Sequence, residues 1–538
     1  MTSFNLTRER WIPVEELDGR VQELSTRDTL SRAHELRALA DSSPLVVAAV
    51  TRHLLAVLHR AYTGPRTKSE WCAIASSGAF DQRRVDAYLD RVEDRMDLFN
   101  PEQPFAQTRG LRERFIQYVT PIDELEVART HWGGAREVFR HRPPLPRPEM
   151  SPGRAARALL AHHAFATGGL IKKPGEPTSA TAAPLARAAL VVVRGPTLFI
   201  TLVANLLVYD RAHGSPIPTG GADDCCSWEQ APLPRELRRS DEPKRPPFGY
   251  LDLLTWLSRR VELLEQDGVV TGFINAVGQG IADGSPRDPM VAYRRHGKYG
   301  LLPIGIDLDR AFWRNASALF EMTRGEGAAF ERPRAIDLVA DQLAIDLLGR
   351  NTMYDIEVLG VAAEKSRVDA VRVERVQVEA RCLNDAAASE AVRECLAFSE
   401  KLVDGLRSSL YTYARSAVAP GERDPDRKGV GQLVNSLGAE PAAWSALGVS
   451  FEHFLQAFGD DPEKAATVFR SRARDVVKDI FRSATARPAT TGRWLKARAL
   501  AEQSFHSRLA DLTERWSPSD VREVPLNACT RSARQPVD

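Results

Sequence analysis

The chain lacks the signatures of the common catalytic and nucleotide-binding sites. No Walker loop, Rossmann glycine fingerprint, His-Glu-x-x-His or Gly-x-Ser-x-Gly occurs in its 538 residues. Nothing positive therefore supports an enzyme, and no cofactor is expected. Cysteine is sparse and unpatterned: the six residues at 72, 225, 226, 382, 395 and 529 include no Cys-x-x-Cys. That argues against a disulfide framework and for reduced thiols in a cytoplasm. Adjacent Cys225 and Cys226, with His131, His141, His162 and His163 elsewhere, are candidate metal ligands. Two neighbouring thiols rarely share one tetrahedral zinc, so no metal is assigned. The start, Met1-Thr2-Ser3-Phe4-Asn5, has no basic region followed by an apolar run. No stretch of roughly 20 apolar residues is read anywhere, so no membrane partner is expected and the location expected is cytoplasmic.

Lysine is also scarce, at 11 of the 73 Lys and Arg residues. Arginine offers a planar donor fork suited to phosphates and flat bases, although a GC-rich genome would give the same bias. The formal net charge is only +2, so contact with nucleic acid must come from local clusters and not from an overall basic field. Hydrophobic content of 43% with 27% charged residues belongs to a folded protein, and the length allows two or more cores at roughly 100–200 residues each.

What is present centres on Thr167-Gly168-Gly169-Leu170-Ile171-Lys172-Lys173-Pro174-Gly175. Paired glycines permit positive φ and close backbone approach, and Lys172 and Lys173 supply donors for a phosphate chain. An ordinary surface turn is the competing reading. Upstream, His131 to Arg142 interleaves Trp132 and Phe139 with Arg136, Arg140 and Arg142 around Gly133-Gly134. Cations among aromatics grip phosphates and stack on exposed bases; an irregular surface loop is again the alternative. Downstream, Asp355–Val361 and Val371–Val378 alternate apolar and polar residues around Ala363-Glu364-Lys365-Ser366-Arg367, the pattern of a hairpin.

Along the rest of the chain, two apolar runs around Asp18-Gly19 read as a hairpin, and Ser43-Pro44 opens an apolar helical stripe ending at Tyr62. Leu190 to Leu202 reads as a strand, a turn and a helix, and residues 211–248 as a linker rich in Gly, Pro and charge. From about 384 four apolar stripes recur at helical spacing: Val392–Leu410, Trp444–Phe458, Ala466–Ile480 and Trp494–Leu512. Connections from Pro420 to Gly431, Gly459 to Pro462 and Pro488 to Gly492 separate them. The expected architecture is α+β: a mixed α/β domain over 1–380, a four-helix bundle over 381–516, and a loosely ordered tail over 517–538. Arg470, Arg472, Arg474, Lys478 and Arg482 on the third helix read as a solvated face or as a phosphate-facing one.

Four motifs together resemble the CasA family, the large subunit of the type I-E CRISPR surveillance complex Cascade. They are Phe4-Asn5-Leu6 through Trp11-Ile12-Pro13-Val14, Leu58-His59-Arg60-Ala61-Tyr62, Pro104 to Gly110 after Asp97-Leu98-Phe99-Asn100, and Gly249 to Leu263. The resemblance implies a non-catalytic subunit that recognises a protospacer-adjacent motif in double-stranded DNA. Such a subunit also promotes opening of the duplex and recruits a helicase-nuclease. It implies other Cascade subunits and the guide RNA as partners. Carried over by position, Gly168 and Gly169 would approach the minor groove, with Lys172 and Lys173 at its flanking phosphates. The segment containing Trp132, Arg136, Arg140 and Arg142 would reach toward DNA and the guide's 5′ end. Lys365, Ser366 and Arg367 would form the tip of a wedge, where characterised relatives carry Gln. Some relatives place a lysine in the stretch matching Gly272–Gly280; here there is none, and Asn275, Gln279 and Arg287 are the replacements at hand. An assembly scaffold that binds protein partners through the helical bundle, without DNA readout, is the alternative function.

Overall fold

A computed structural model of the chain describes residues 3–127, 148–210, 214–218, 224–241, 243–322, 327–349, 352–364, 367–418, 426–459, 461–486 and 491–516. The fold is α+β in two compact units, Met1–Ser389 and Glu390–Asp538. The first opens with β1 (Ile12–Glu16) and β2 (Val21–Leu24), paired antiparallel around Gly19, whose φ of 89° suits glycine. β3 (Leu36–Leu39) adds to the other edge of β1. Trp11 is fully buried and its indole N–H donates to the Leu6 carbonyl at 2.8 Å, so the opening motif stabilises the fold and is not available to a ligand.

α1 (Pro44–Tyr62) starts with proline in its first turn, but Ser43 makes no side-chain cap bond. By length and mean composition this helix would suffice to cross a membrane, although Thr51, Arg52, His53, His59 and Arg60 interrupt its apolar residues. It is instead a core helix, with 83% of its most apolar window buried in protein. Arg52 accounts for this: its buried guanidinium pairs with Asp288 at 2.8 Å and donates to the Leu253 carbonyl at 2.8 Å. Hydrocarbon around α1 would leave that cation unmatched.

The expected linker over 211–248 is packed in its described central part. Trp228 is buried and donates to the Tyr88 hydroxyl at 2.8 Å, and the Asp224 carboxylate accepts the Leu251 and Asp252 amides at 2.9 Å. A carboxylate at the first turn of the helix Tyr250–Leu254 satisfies amides that have no helical partner. Composition alone missed it because the segment is irregular yet ordered by these long-range bonds.

α2 (Pro152–Phe165) is capped by Ser151, whose side chain accepts the Arg154 amide, and leads into the short hairpin β4 (Gly169–Leu170) and β5 (Ser179–Ala180). β6 (Leu190–Arg194) and α3 (Leu198–Asn205) follow, tied together by the Asn205 amide, which exchanges hydrogen bonds with the Val193 backbone. β7 (Arg259–Gln266) and β8 (Val269–Val277) form an antiparallel pair, as do β9 (Tyr293–His296) and β10 (Gly300–Pro303). β11 (Met353–Glu364) and β12 (Arg367–Glu379) complete the unit, with β6 on the free edge of β11 in the order β12-β11-β6. These strands run beyond the alternating stretches read from sequence. Glu364 faces Arg367, so only two residues join them.

The second unit is helical: α4 (Ala386–Val418, entered from the first unit), α5 (Arg427–Ser436), α6 (Ala439–Gln456), α7 (Pro462–Thr485) and α8 (Gly492–Arg515). The four expected stripes lie on α4, α6, α7 and α8. α5 is a further helix that begins within the expected 420–431 connection and runs five residues beyond it, started by the Asp426 side chain accepting the Lys428 amide at 3.0 Å and held by buried Val430. Phe451, Phe454 and Phe469 pack ring to ring at 5.5–6.1 Å, and Phe481 stacks on Phe505 at 4.4 Å. The tail over 517–538 lies outside the described residues.

Candidate nucleic-acid interface

The glycine hairpin is short and well anchored. Gly169 faces Ala180, Leu170 faces Ser179, and the Ile171 amide donates to the Thr178 carbonyl at 2.8 Å. Ile171 is buried with Ala180 and Val277 under the hairpin. Neither Gly168 nor Gly169 takes a positive φ; that conformation belongs to Gly175, with φ 75°. A Cβ on Gly168 would stand 3.0 Å from the Ala182 nitrogen and 3.2 Å from the Ala180 oxygen. Within the chain, then, the close approach that Gly168 permits is to its own returning backbone.

Two consecutive arginines of β7 hold the two ends of this loop. Arg259, 1% exposed, donates to the Thr167 carbonyl at 2.7 Å, just ahead of Gly168. Burial lowers its pKa to about 10. Arg260 is also fully buried and pairs with Glu176 on the returning side of the loop, while its Nε donates to the Val277 carbonyl at 2.7 Å. Glu176 receives a second cation, Arg114, at 2.6 Å. Sequence reasoning missed this anchor. No local pattern marks Glu176, Arg259 or Arg260 as an anchor: Arg260 meets Glu176 across 84 residues and Arg259 meets Thr167 across 92.

The two loop lysines differ. Lys172 is exposed. Lys173 is half-buried, its ammonium 4.9 Å from the centre of the Tyr118 ring, and burial lowers its pKa below the ordinary lysine value. Only Lys172 presents its charge freely to a partner.

From the loop the chain passes along 181–189 to the base of the long hairpin. The Ala183 and Leu185 amides donate to Ala166 and Ala164 at 2.8 and 2.9 Å, and Leu190 of β6 pairs with Leu359 of β11. Gly360 sits where β11 leaves β6: a Cβ there would be 2.9 Å from the Ala188 oxygen. Glu357, 3% exposed, takes Arg194 at 2.7 Å and Arg375 at 3.2 Å, joining all three strands. Arg367, at the far end of β12, is exposed and pairs with Asp369 at 2.6 Å. Lys365 and Ser366, like Trp132, Arg136, Arg140 and Arg142, lie outside the described residues.

Of the candidate replacements for the absent lysine, Asn275 is buried on β8, Gln279 is half-buried, and Arg287 is exposed and paired with Glu331 at 2.7 Å. The cations of α7 are largely matched within the helical unit: Arg470 with Glu394 at 3.2 Å, Lys478 with Asp475 at 3.4 Å and Arg482 with Asp479 at 3.2 Å. That favours a solvated charged face. Cys226 is buried and Cys225 half-buried, and among the described residues no three His, Cys, Asp or Glu side chains gather to hold a metal.

The family model for the CRISPR-associated protein Cse1 matches residues 5–486. A Thermus thermophilus protein named CRISPR-associated protein CasA/Cse1 is 34% identical over 521 residues, 96% of this chain and 99% of that one. The solved structure of Thermus thermophilus CasA aligns with a TM-score of 0.80 at 31% identity, covering 95% and 100% of the two chains. Thermobifida fusca Cse1 aligns with a TM-score of 0.78 at 25% identity, covering 95% and 98%. A chain of a CRISPR RNA-guided surveillance complex shares the fold, with a TM-score of 0.71 at 20% identity over 94% and 100% of the chains.

Proposed function

The chain belongs to the CRISPR-associated Cse1 family, and on that premise we propose that it is the large, non-catalytic subunit of an RNA-guided surveillance complex. In this reading it works in the cytoplasm with other complex subunits and a guide RNA. It recognises a short motif flanking the target in double-stranded DNA, promotes opening of the duplex, and recruits a helicase-nuclease. The observation that carries the reading is similarity over nearly the full length of both this chain and Thermus CasA/Cse1. The anchored glycine loop supports it. A hairpin fixed at Thr167 and Glu176 by buried arginines presents exposed Lys172 from a rigid base, and preorganisation lowers the cost of binding.

The division of labour is physically economical. Guide pairing supplies long-sequence specificity, while the protein reads only a few base pairs. A loop directed at the minor groove would meet a degenerate donor and acceptor pattern and so tolerate several related motifs. The deciding experiment assembles the chain with its complex partners and measures binding to duplexes that differ only in the flanking motif. A clear preference is expected. Equal affinity for all motifs would remove the motif reading and leave the scaffold function in its place.

A further inference from the structure

Two hairpins run out past the same end of β6, from opposite sides of that strand. Leu190, the first residue of β6, pairs with Leu359 of β11 on one side and bridges to Val291 on the other, both antiparallel. The chain after Val291 and the chain after Leu359 therefore run in the same direction, out past the start of β6. β9 ends at His296, five residues beyond Val291 (296 − 291), and β11 ends at Glu364, five beyond Leu359 (364 − 359). At about 3.4 Å per residue each strand extends about 17 Å from the level of Leu190. The bases are stitched together. The Ala189 amide donates to Ile304 at 2.7 Å, the Ile304 amide to Ala292 at 2.9 Å, and Arg372 of β12 to the Asp307 carbonyl at 2.9 Å.

The tip of the β9–β10 hairpin is unlike a packing surface. Every residue from Arg294 to Gly300 is exposed, and Val291 to Pro303 contains Arg294, Arg295 and Lys298 but no Asp or Glu. Tyr299 is 62% exposed, with the His296 ring stacked on it at 5.0 Å and 29°. The Lys298 amide donates to His296 Nδ1 at 3.2 Å, and the Lys298 ammonium lies 5.1 Å from the Tyr299 ring centre. The stacked pair is thus held by its own turn. Arg295 is fixed by the Ala328 carbonyl at 2.7 Å, and Arg294 lies over Phe330 at 5.5 Å.

We propose that this tip binds unpaired nucleobases, and that its partner is the DNA strand displaced when the duplex opens beside the β11–β12 hairpin. The proposal rests on the DNA-opening reading above. Extending the His296–Tyr299 stack by one base requires a base free of its own duplex neighbours, while Lys298 supplies charge for the adjoining phosphate. A hairpin of equal reach alongside the opening element would meet the released strand as it leaves its partner.

The test uses the assembled complex with guide RNA and a duplex target carrying 2-aminopurine at successive positions of the displaced strand. A second set carries the probe in the guide. Quenching is expected at one or two displaced-strand positions next to the flanking motif. It should be lost in Tyr299→Ala, retained in Tyr299→Phe, and absent from the guide. Loss of one base stack should slow opening of the duplex about ten-fold in Tyr299→Ala. Identical displaced-strand fluorescence in the wild type and Tyr299→Ala overturns the proposal, as does Tyr299-dependent quenching confined to the guide. Motif preference measured on the same wild-type complex separates the two readings. If it is present without the quenching, only the strand-binding role fails; if both are missing, both fail.

Discussion

Lys172 and Lys173 are adjacent in sequence but differ in what they offer a phosphate. Lys172 is exposed, whereas Lys173 spends its charge on the Tyr118 ring and is half-buried. A lysine that neutralises a DNA phosphate releases condensed counterions, so removing it flattens the salt dependence of binding by about 0.9 in the log–log slope. Lys172→Ala is expected to show that change on target binding by the assembled complex across a salt series. Lys173→Ala should change the slope less and instead lower stability, by about 0.5–2 kcal/mol for a cation over an aromatic face. Unchanged slopes in both variants would take these lysines out of the DNA contact.

At the scale of the element, the glycine hairpin is shaped by contacts distant in sequence. Glu176→Gln preserves shape but leaves the fully buried Arg260 without a carboxylate. Breaking one side of a buried pair costs about 3–5 kcal/mol. Chemical denaturation of the variant should register a loss in that range, and hydrogen exchange of residues 169–180 should speed up; a loss below about 1 kcal/mol would mean the pair does not anchor the loop. Sequence reading found the elements whose cues are local. Alternation over Asp355–Val361 and Val371–Val378 located β11 and β12, Asp18-Gly19 the first turn, and apolar stripes the helices α4, α6, α7 and α8. It missed what depends on burial of charge. Arg52 within an apolar helix, Asp224 at a helix start and Arg259-Arg260 under the loop all have polar partners far along the chain. The same limit applies to the site: Gly168 and Lys172 were visible as a motif, whereas the anchors that fix them were not.

At the scale of the whole molecule, the two units should respond differently to acid because buried histidine is confined, among the described residues, to the first. His53 sits among Trp11, Phe105 and Trp228 with ring centres 5.2–5.8 Å away, and neither ring nitrogen has a hydrogen-bond partner among the described residues. Burial lowers its pKa to about 3, and those of His59 and His163 to about 4; His162 is lowered as well by burial and by Arg259. In the second unit His453 and His506 are exposed. The sign follows from proton counts. Below the unfolded value of about 6.5 the unfolded chain binds protons that the folded first unit refuses, so stability is fully present above pH 6.5 and falls as pH drops toward 4. Each such histidine contributes up to about 1.4 kcal/mol per pH unit in that window. Calorimetry of the full chain between pH 7.5 and 5 should therefore show the melting of Met1–Ser389 moving down steeply while that of the helical unit changes little. If the first unit keeps its melting temperature over this range, or both units lose stability in parallel, the buried histidines do not set the acid limit of the fold.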